Sequence, residues 1–371
     1  MNGRIGDQTM TERVRHGYGL YNYRTGNVGD EIQSIAARRF LPRIDQFVDR
    51  DGLTKVQPSH EYDQLKLIMN GWYSHAPENW PPRDKSLDPL LVSMHVTQVS
   101  KPVIESFLSN ESRRFLSAHG PVGTRDLATR DFFRANGIDA EFTGCMTLTL
   151  DRDERVEDGE HILLVDVPPR IEAAVRARTD RPVISATVYV DPAWGPDTKF
   201  LLAEYFLNMY QSAHAVVTTR LHTALPSTAL GTPVAFIRSR TLHELSRFSG
   251  LWHLLRVYEE DEFAGSKHGF DLDEPGPNPD AFKPIRDELI DRCVAFTGFG
   301  READPIEGPR RRTSAASLMN DPGVMGVVAD ALQAHWNTQF PGVSSLAQGM
   351  SALKRINAIR RAHQQRRAGI R

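Results

Sequence analysis

The sequence predicts an α/β protein with two doubly wound parallel sheets, one in each half of the chain. Short apolar runs, rich in β-branched residues, alternate with helical patterns from residue 14 to residue 300. Such runs are typical of strands that are buried on both faces, as in a parallel sheet. Glycines follow several of the runs, where a strand turns sharply into a helix. The alternating order therefore predicts parallel strands joined through helices.

Length and composition are those of an ordinary soluble protein. The 371 residues suit two domains with extensions. Charged residues make up 25% and the net charge is −2, which excludes a general affinity for nucleic acid. The two cysteines, Cys145 and Cys293, are too few for a disulfide framework, and no Cys/His cluster has zinc spacing. Since no run is long enough to span a membrane and no signal-peptide pattern is present, we expect a cytoplasmic protein.

The first half of the chain carries the first sheet. Strands are predicted at Val14–Tyr23, Phe47–Val48, Leu65–Met69, Leu90–Met94 and Val122–Arg125, and the segment Phe142–Leu150 ends this half. Helical periodicity predicts helices at Ile32–Phe40, Val103–Ala118 and Leu127–Ala135. The acidic segment 151–160 lacks apolar periodicity and is predicted to be the linker to the second half.

The second half repeats the alternation. Strands are predicted at His161–Val165, Pro182–Val190, Ala215–Thr218, Val234–Ile237 and Leu255–Tyr258. Helices are predicted at Ile171–Arg178, Thr198–Ser212, Ala224–Leu230, Thr241–Gly250 and Ala281–Phe296. Gly231 suits the left-handed position after the helix Ala224–Leu230. The predicted domains are therefore 1–150, 160–300 and a connector with basic helices over 301–371.

Arg220 and His222 form the strongest candidate site. They lie where the strand Ala215–Thr218 ends and the next helix begins, which is where open α/β sheets bind ligands. The helix N-terminus adds free N–H groups that suit an anion. Arginine offers a planar fork for carboxylate or phosphate, and histidine can transfer a proton near neutral pH. A purely structural role, with Arg220 in an ion pair and His222 as a helix cap, is the alternative.

Other candidates occupy similar places. Arg125 also follows a strand and precedes a helix, so we expect an anion held in a cleft between the two halves. Asp30 and Glu31 open the first helix after a glycine-bearing turn, either as functional groups or as partners of the helix dipole. His95 ends the fourth strand, either as a catalytic or as a structural histidine.

Taken together, several motifs are similar to those of the polysaccharide pyruvyl transferase family. They are Gly26-Asn27-Val28-Gly29-Asp30-Glu31, Gly120-Pro121-Val122-Gly123-Thr124-Arg125-Asp126, Thr143-Gly144-Cys145 and Thr219-Arg220-Leu221-His222-Thr223-Ala224, with Gly231-Thr232-Pro233-Val234 after them. The Arg-Leu-His segment with its following Gly-x-Pro is the most specific. The resemblance covers roughly the first 250 residues, and the last hundred carry no matching motif.

The resemblance implies two Rossmann-like domains arranged as in GT-B glycosyltransferases, with the active site between them, and the sequence adds a C-terminal helical extension. It implies a transferase that moves a pyruvyl group from phosphoenolpyruvate to a sugar of a cell-surface glycan, such as an exopolysaccharide, or of its precursor, forming a cyclic ketal. Arg220, Leu221, His222 and Arg125 inherit the family's donor-binding positions. Many relatives have a glycine triplet where this chain has Asn70-Gly71-Trp72-Tyr73, and a lysine where the nearby cations are Arg238 and Arg240.

The residues fit that chemistry. We expect Arg125, Arg220 and Arg240 to bind the donor and His222 to protonate its enol carbon. Asp30 and His95 are the candidate bases for the attacking hydroxyl. The candidate acceptor site consists of Asn27, Gly29, Asp30, Trp72, Tyr73 and Trp194. Because arginines can hold the donor's charge, we expect neither a metal nor another cofactor.

Two other functions fit the same residues. The first is a nucleotide-sugar glycosyltransferase of the GT-B type, in which the arginines would bind a pyrophosphate. The second is a sugar- or anion-binding protein without catalysis.

The basic C-terminal tail, which includes the run Arg310-Arg311-Arg312, has two interpretations. It contacts an anionic membrane or a partner, or it is a solvated helix face.

Overall fold

Two parallel sheets form the described part of the chain. The computed structural model describes residues 14–154, 156–239, 244–265 and 269–300. The first sheet contains β1 (His16–Asn22), β2 (Gln46–Asp49), β3 (Gln64–Trp72), β4 (Leu87–His95), β5 (Val122–Thr124) and β6 (Ala140–Phe142). Its strand order is β2-β1-β3-β4-β5-β6, and all of its strand pairs are parallel.

The second sheet has the same kind of topology. It contains β7 (Ile162–Val165), β8 (Val183–Ala186), β9 (Ala215–Thr218), β10 (Val234–Arg238) and β11 (Arg256–Glu259). The strand order is β11-β10-β9-β7-β8, again with parallel pairing throughout. The predicted α/β class with two parallel sheets is therefore confirmed.

Helices connect the strands of both sheets. They are α1 (Gly29–Arg38), α2 (Lys101–Phe107), α3 (Asn110–Ala118), α4 (Leu127–Ala135), α5 (Pro169–Arg176), α6 (Pro196–Ser212), α7 (Leu221–Ala229), α8 (Glu260–Ala264) and α9 (Lys283–Thr297). No helix in the described ranges combines the length and the apolar character needed to cross a membrane.

Three predicted elements differ from the structure. The helix predicted at Val103–Ala118 is interrupted at Ser109, which leaves the helical conformation and accepts a hydrogen bond from the Ser112 N–H at 3.2 Å. The helix predicted at Thr241–Gly250 is a 3-10 turn at Leu245–Phe248, preceded by Glu244 in the left-handed conformation, while residues 240–243 lie outside the description. The strand predicted at Pro182–Val190 ends at Ala186, because the residues beyond it pair elsewhere.

Those residues beyond β8 join the two halves of the chain. The Val28 N–H donates to the Val188 carbonyl at 3.0 Å, and the Val190 N–H donates to the Gly26 carbonyl at 2.9 Å. The buried Lys199 ammonium donates to the Thr25 carbonyl at 2.8 Å. The loop after β1 is therefore fixed to the second half by backbone and side-chain hydrogen bonds.

Helix α9 returns to the first half. The Lys66 ammonium donates to the Phe296 carbonyl at 2.9 Å, and Arg292 forms an ion pair with Glu141. The helix thus contacts β3 and β6, although the predicted second domain, 160–300, includes it. The predicted connector and helices over 301–371 lie outside the described residues.

Topology determines where a ligand can bind. In each sheet the second strand lies on one side of the first strand, and all later strands lie on the other side. The direction of strand addition therefore reverses between β1 and β3 in the first sheet and between β7 and β9 in the second. Open α/β sheets bind ligands at the carboxyl ends of the strands beside such a reversal. The hydrogen bonds between residues 26–28 and 188–190 bring the two reversal points together.

Candidate active site

The segment from β9 to β10 has the predicted conformation. All four residues of β9 are buried, α7 begins at Leu221, and Gly231 has a left-handed φ of 81°. Arg220 precedes the first turn of α7, and its N–H donates to the Thr218 hydroxyl at 2.9 Å. The residues predicted to bind an anion are therefore placed at the carboxyl end of a parallel strand.

Arg220 is held by a carboxylate that the sequence analysis did not single out. Its Nε donates to Asp166 Oδ2 at 3.0 Å, and its guanidinium lies 4.5 Å from the centre of the Tyr189 ring. Asp166 follows β7 directly and has a φ of 50°, a conformation that Asp tolerates. The same strand-end argument that selected Arg220 applies to Asp166. Arg220 is thus oriented by a partner from the neighbouring strand.

His222 lies against the glycine-bearing loop that follows β1. A Cβ atom added to Gly29 would lie 2.8 Å from the His222 Cβ, so only glycine permits this approach. His222 Nε2 is buried and has no hydrogen-bond partner among the described residues. Burial lowers the pKa of His222 well below its usual value, and Arg125, Arg247 and Arg50 lower that pKa further by repulsion. The imidazole is therefore neutral at pH 7 and lies in a strongly positive field.

Arg125 and Arg247 are the principal sources of that field. The Arg125 side chain is 2% exposed, and its Nε lies 3.9 Å from Asp126 Oδ2. Arg247 comes from the 3-10 turn at Leu245–Phe248, with its guanidinium 5.4 Å from the centre of the Trp72 ring. In the described part of the chain neither buried Nε finds a hydrogen-bond acceptor. Burial and the charge of Arg125 lower the pKa of Arg247 to about 10.

Asp30 lies in a buried network around Arg50, which comes directly after β2. Its Oδ2 accepts a hydrogen bond from the Thr25 hydroxyl at 2.7 Å, and its Oδ1 lies 3.6 Å from Arg50 Nη1. Arg50 also donates to both oxygens of Asp51 at 3.1 Å. Asp30 is thus held in place by the Thr25 hydroxyl and the Arg50 guanidinium.

Glu31, next to Asp30, has a different environment. Its side chain is buried, and neither carboxylate oxygen has a hydrogen-bond partner among the residues described. Burial raises the pKa of Glu31 to about 8, with the Asp30 charge as the second cause. Its place in the first turn of α1 therefore does not keep it charged, because desolvation outweighs the helix dipole.

His95 lies fully buried between two carboxylates. Its Nδ1 is 2.6 Å from Asp126 Oδ2, and its Nε2 is 3.7 Å from Glu244 Oε1. Asp126 also caps α4, since its Oδ1 accepts from the Thr129 N–H at 2.9 Å. Glu244 accepts a hydrogen bond from the Thr97 hydroxyl. The sequence placed His95 and Asp126 at strand ends, but nothing in it pointed to Glu244.

The residues predicted for the acceptor are in different environments. Asn27 forms the isolated bridge to Tyr189, and its Oδ1 accepts from the Gly29 N–H at 3.0 Å. Trp72 packs edge-on against His95, with ring centres 5.5 Å apart. Tyr73 is buried, with its hydroxyl 3.1 Å from that of Tyr21. Trp194 is half-buried in the loop before α6.

These positions change the set of residues that can contact an acceptor sugar. Because the Tyr73 ring packs in the core of the first sheet, it has no free face for a sugar, and we leave it out of the candidate site. Tyr189, which is 52% exposed and adjacent to Arg220, is an aromatic residue that the sequence analysis missed. Arg240 lies outside the described residues. Within the described ranges no three His, Cys, Asp or Glu side chains form a metal-binding group, and the expectation that no cofactor is needed stays a prediction.

Comparison with known proteins identifies a family. The model of the family described as polysaccharide pyruvyl transferase matches residues 27–240, which is more than half of the chain. One similar solved structure is that of an uncharacterized protein from Klebsiella pneumoniae subsp. pneumoniae NTUH-K2044. It shares 14% identity at a TM-score of 0.41, and the match covers 66% of this chain and 92% of that one. No curated protein matches the chain.

Proposed function

Because the chain belongs to the polysaccharide pyruvyl transferase family, we propose that it transfers a pyruvyl group from phosphoenolpyruvate to a sugar. The acceptor is a sugar of a cell-surface glycan or of its precursor, and the product is a cyclic ketal across two hydroxyls. The proposal includes a cytoplasmic location, which the two buried free cysteines, Cys145 and Cys293, support.

One observation carries the choice of donor. Among the described residues, the buried Nε–H groups of Arg125 and Arg247 have no acceptor, and both charges act on His222, whose Nε2 also has no partner there. Buried donors and like charges are costly unless an anion satisfies them. Phosphoenolpyruvate carries a carboxylate and a phosphate, and arginine forks bind both groups. Arg220, already oriented by Asp166, supplies a third cation, whose charge acts on Arg247.

His222 supplies the proton in this reaction. The anionic donor offsets the repulsion from the arginines, so that the bound complex holds a charged imidazole. This imidazole protonates the methylene carbon of the donor and makes the adjacent carbon electrophilic. A sugar hydroxyl attacks that carbon, phosphate leaves, and a second hydroxyl closes the ring. The acid is thus charged only when its substrate is in place.

Ligand binding tests the proposal directly. We expect phosphoenolpyruvate to raise the melting temperature, and UDP-glucose and GDP-mannose to leave it unchanged, because only a ligand of the native state stabilises. At a hundredfold excess over Kd the stabilisation is about 2.7 kcal/mol. Stabilisation by a nucleotide sugar instead would contradict the proposal and favour a glycosyltransferase.

A matched pair of variants tests the binding site. Arg247→Gln removes one charged donor, and since a hydrogen bond to a charged group contributes about 1.5–3 kcal/mol, we expect Kd for phosphoenolpyruvate to rise roughly 10- to 150-fold. The control, Arg83→Gln, changes an arginine that is 67% exposed and has a carboxylate contact at 4.0 Å. Equal affinity of the two variants would exclude Arg247 from the donor site.

A further inference from the structure

Ketal formation, the proposed function on which this inference rests, requires a base as well as an acid. The two acceptor hydroxyls form two C–O bonds to one donor carbon and release two protons. The methylene carbon gains one proton, and the C–O bond to phosphate breaks with its electron pair leaving on phosphate. The second proton leaves with that phosphate. A group near the acceptor must therefore accept protons twice in each turnover, while the acid His222 gives one.

Three side chains, Asp126, His95 and Glu244, have the geometry to accept and pass on these protons. His95 is fully buried, its Nδ1 is 2.6 Å from Asp126 Oδ2, and its Nε2 faces Glu244 Oε1 at 3.7 Å. Asp126 is fixed in turn by the Thr129 N–H and hydroxyl, each at 2.9 Å. The imidazole therefore cannot turn, and each ring nitrogen faces a carboxylate oxygen.

The second ring nitrogen of His95, Nε2, lies where it can exchange a proton with Glu244. When Nδ1–H of His95 donates to Asp126, Nε2 is the ring nitrogen that faces Glu244 and can exchange a proton with it. Within the described residues, Nε2 has no hydrogen bond although it is buried beside a carboxylate. The 3.7 Å separation between Nε2 and Glu244 Oε1 closes to hydrogen-bond distance with a small movement of the Glu244 side chain, and a proton shared between the two atoms satisfies both buried groups.

The set Asp126, His95 and Glu244 also lies beside the residues proposed to bind the donor. Arg125 Nε lies 3.9 Å from Asp126, and Arg247 follows Glu244 by three residues in the same turn. Both arginines act on His222. Trp72 contacts His95 with its edge and Arg247 with its face. Arg125 and Arg247 thus interact both with the acid His222 and with the residues around His95.

We infer that Glu244 is the base that deprotonates the acceptor hydroxyls, and that His95, oriented by Asp126, takes the first proton from it. The first proton passes from Glu244 to His95 Nε2, which frees the carboxylate for the second hydroxyl. One of the two protons leaves on the phosphate, and the other is returned to His222 through solvent. Glu244 is the catalytic residue of this set, and His95 and Asp126 are positioning residues that hold and store the proton.

Glu244→Gln tests the base while preserving shape. The assay offers phosphoenolpyruvate with a panel of methyl hexopyranosides and measures phosphate release and the methyl resonance of the ketal. We expect unchanged Kd for phosphoenolpyruvate and a kcat lower by about 10²- to 10⁴-fold, the usual contribution of a general base. Glu105→Gln, which removes a carboxylate that is 64% exposed, is the control and should match the wild type.

Two further variants separate a chemical role from a structural one. Glu244→Gly suits the left-handed φ of 54° and leaves space, so sodium formate should restore part of the lost kcat. His95→Asn keeps a donor for Asp126 and should lower kcat by itself, but it should cost nothing further in the Glu244→Gln background, because the two residues act as a unit.

The results separate the role of Glu244 as a base from the proposed pyruvyl transfer itself. A wild-type protein that binds phosphoenolpyruvate but forms no ketal with any sugar contradicts the proposed function. An active wild type with an equally active Glu244→Gln variant overturns the inference alone. The inference would also be overturned if the losses of kcat multiplied in the double variant His95→Asn/Glu244→Gln. The same holds if Glu244→Gln bound phosphoenolpyruvate more weakly, or if formate did not restore kcat of Glu244→Gly.

Discussion

Donor binding should draw a proton onto His222. In the free protein, burial and three arginines hold the pKa of His222 well below its usual value, so the ring is neutral above pH 7. A bound trianion reverses the sign of the local field and favours the imidazolium. Binding and protonation are then linked, and the complex forms more readily at lower pH.

The size of the effect follows from linkage. Between the pKa values of the free and the bound protein, one proton is taken up per ligand, and Kd rises tenfold, or 1.4 kcal/mol, for each pH unit. From pH 7 to pH 8.5 we therefore expect Kd to weaken, by at most about 30-fold, the limit reached when the bound imidazole stays protonated over the whole range. The phosphate, with a second pKa near 6, is already ionised in this window. Arg247, with a pKa of about 10, still carries its charge.

Calorimetry can count this proton. Titration of the protein with phosphoenolpyruvate at pH 7.5, in two buffers that differ in ionisation enthalpy, should show an uptake close to one proton per ligand. The His222→Gln variant keeps a polar group near Nε2 but cannot gain a charge. Its binding should be independent of pH, and its proton uptake should be zero.

Two results would refute this reasoning. A Kd that is constant from pH 7 to pH 8.5 in the wild type would mean that the bound ring stays neutral, and His222 could not be the acid. Proton uptake that persists in His222→Gln would assign the proton to another group.

Three further predictions concern packing and stability. Gly29→Ala places a methyl group 2.8 Å from the His222 Cβ and should abolish ketal formation in an otherwise folded protein, whereas Gly195→Ala, with no atom within 4 Å of the added Cβ, should stay active. Because burial raises the pKa of Glu31 to about 8 from 4.5, the folded state keeps a proton that the unfolded chain releases, and stability falls as pH rises through that window. Glu31→Gln should therefore resist urea better than the wild type at pH 8 and equally at about pH 3.5, where the unfolded glutamate is also protonated, and an equal gain at both values would refute this explanation. Phe107→Ala removes a fully buried ring stacked 4.4 Å from Trp80 and should cost about 3–5 kcal/mol in urea unfolding, and a loss below 1 kcal/mol would contradict the packing.

Local patterns predicted most of the secondary structure. The run Ala215–Thr218 is apolar and β-branched, and the structure buries all four residues in β9. The predicted helix at Val103–Ala118 failed at Ser109, where one side-chain hydrogen bond starts a new helix. Periodicity alone does not detect such a break, because the apolar spacing continues on both sides of it.

Strand ends were the sequence signal that located the site. Arg125 and Arg220 were singled out because each follows a predicted strand, and parallel strands place their carboxyl ends at one edge. The same argument extends to Arg50 after β2 and Asp166 after β7. Arg247 and Glu244 follow no strand, and the structure has a 3-10 turn where the sequence predicted the helix Thr241–Gly250. Only the folded chain brings them to His222 and His95.

The sequence by itself therefore determined the α/β class, most of the strands, the family motifs and the position of Arg220 and His222 at a strand end, because each depends on residues that are close together in the chain. The tertiary structure alone decided which groups are charged and which have partners. Asp30 and Glu31 are adjacent in the chain, yet Asp30 lies beside Arg50 and Glu31 has no hydrogen bond in the described structure. Burial and distant charges set those differences, since electrostatic energy depends on distance through space and on the exclusion of water.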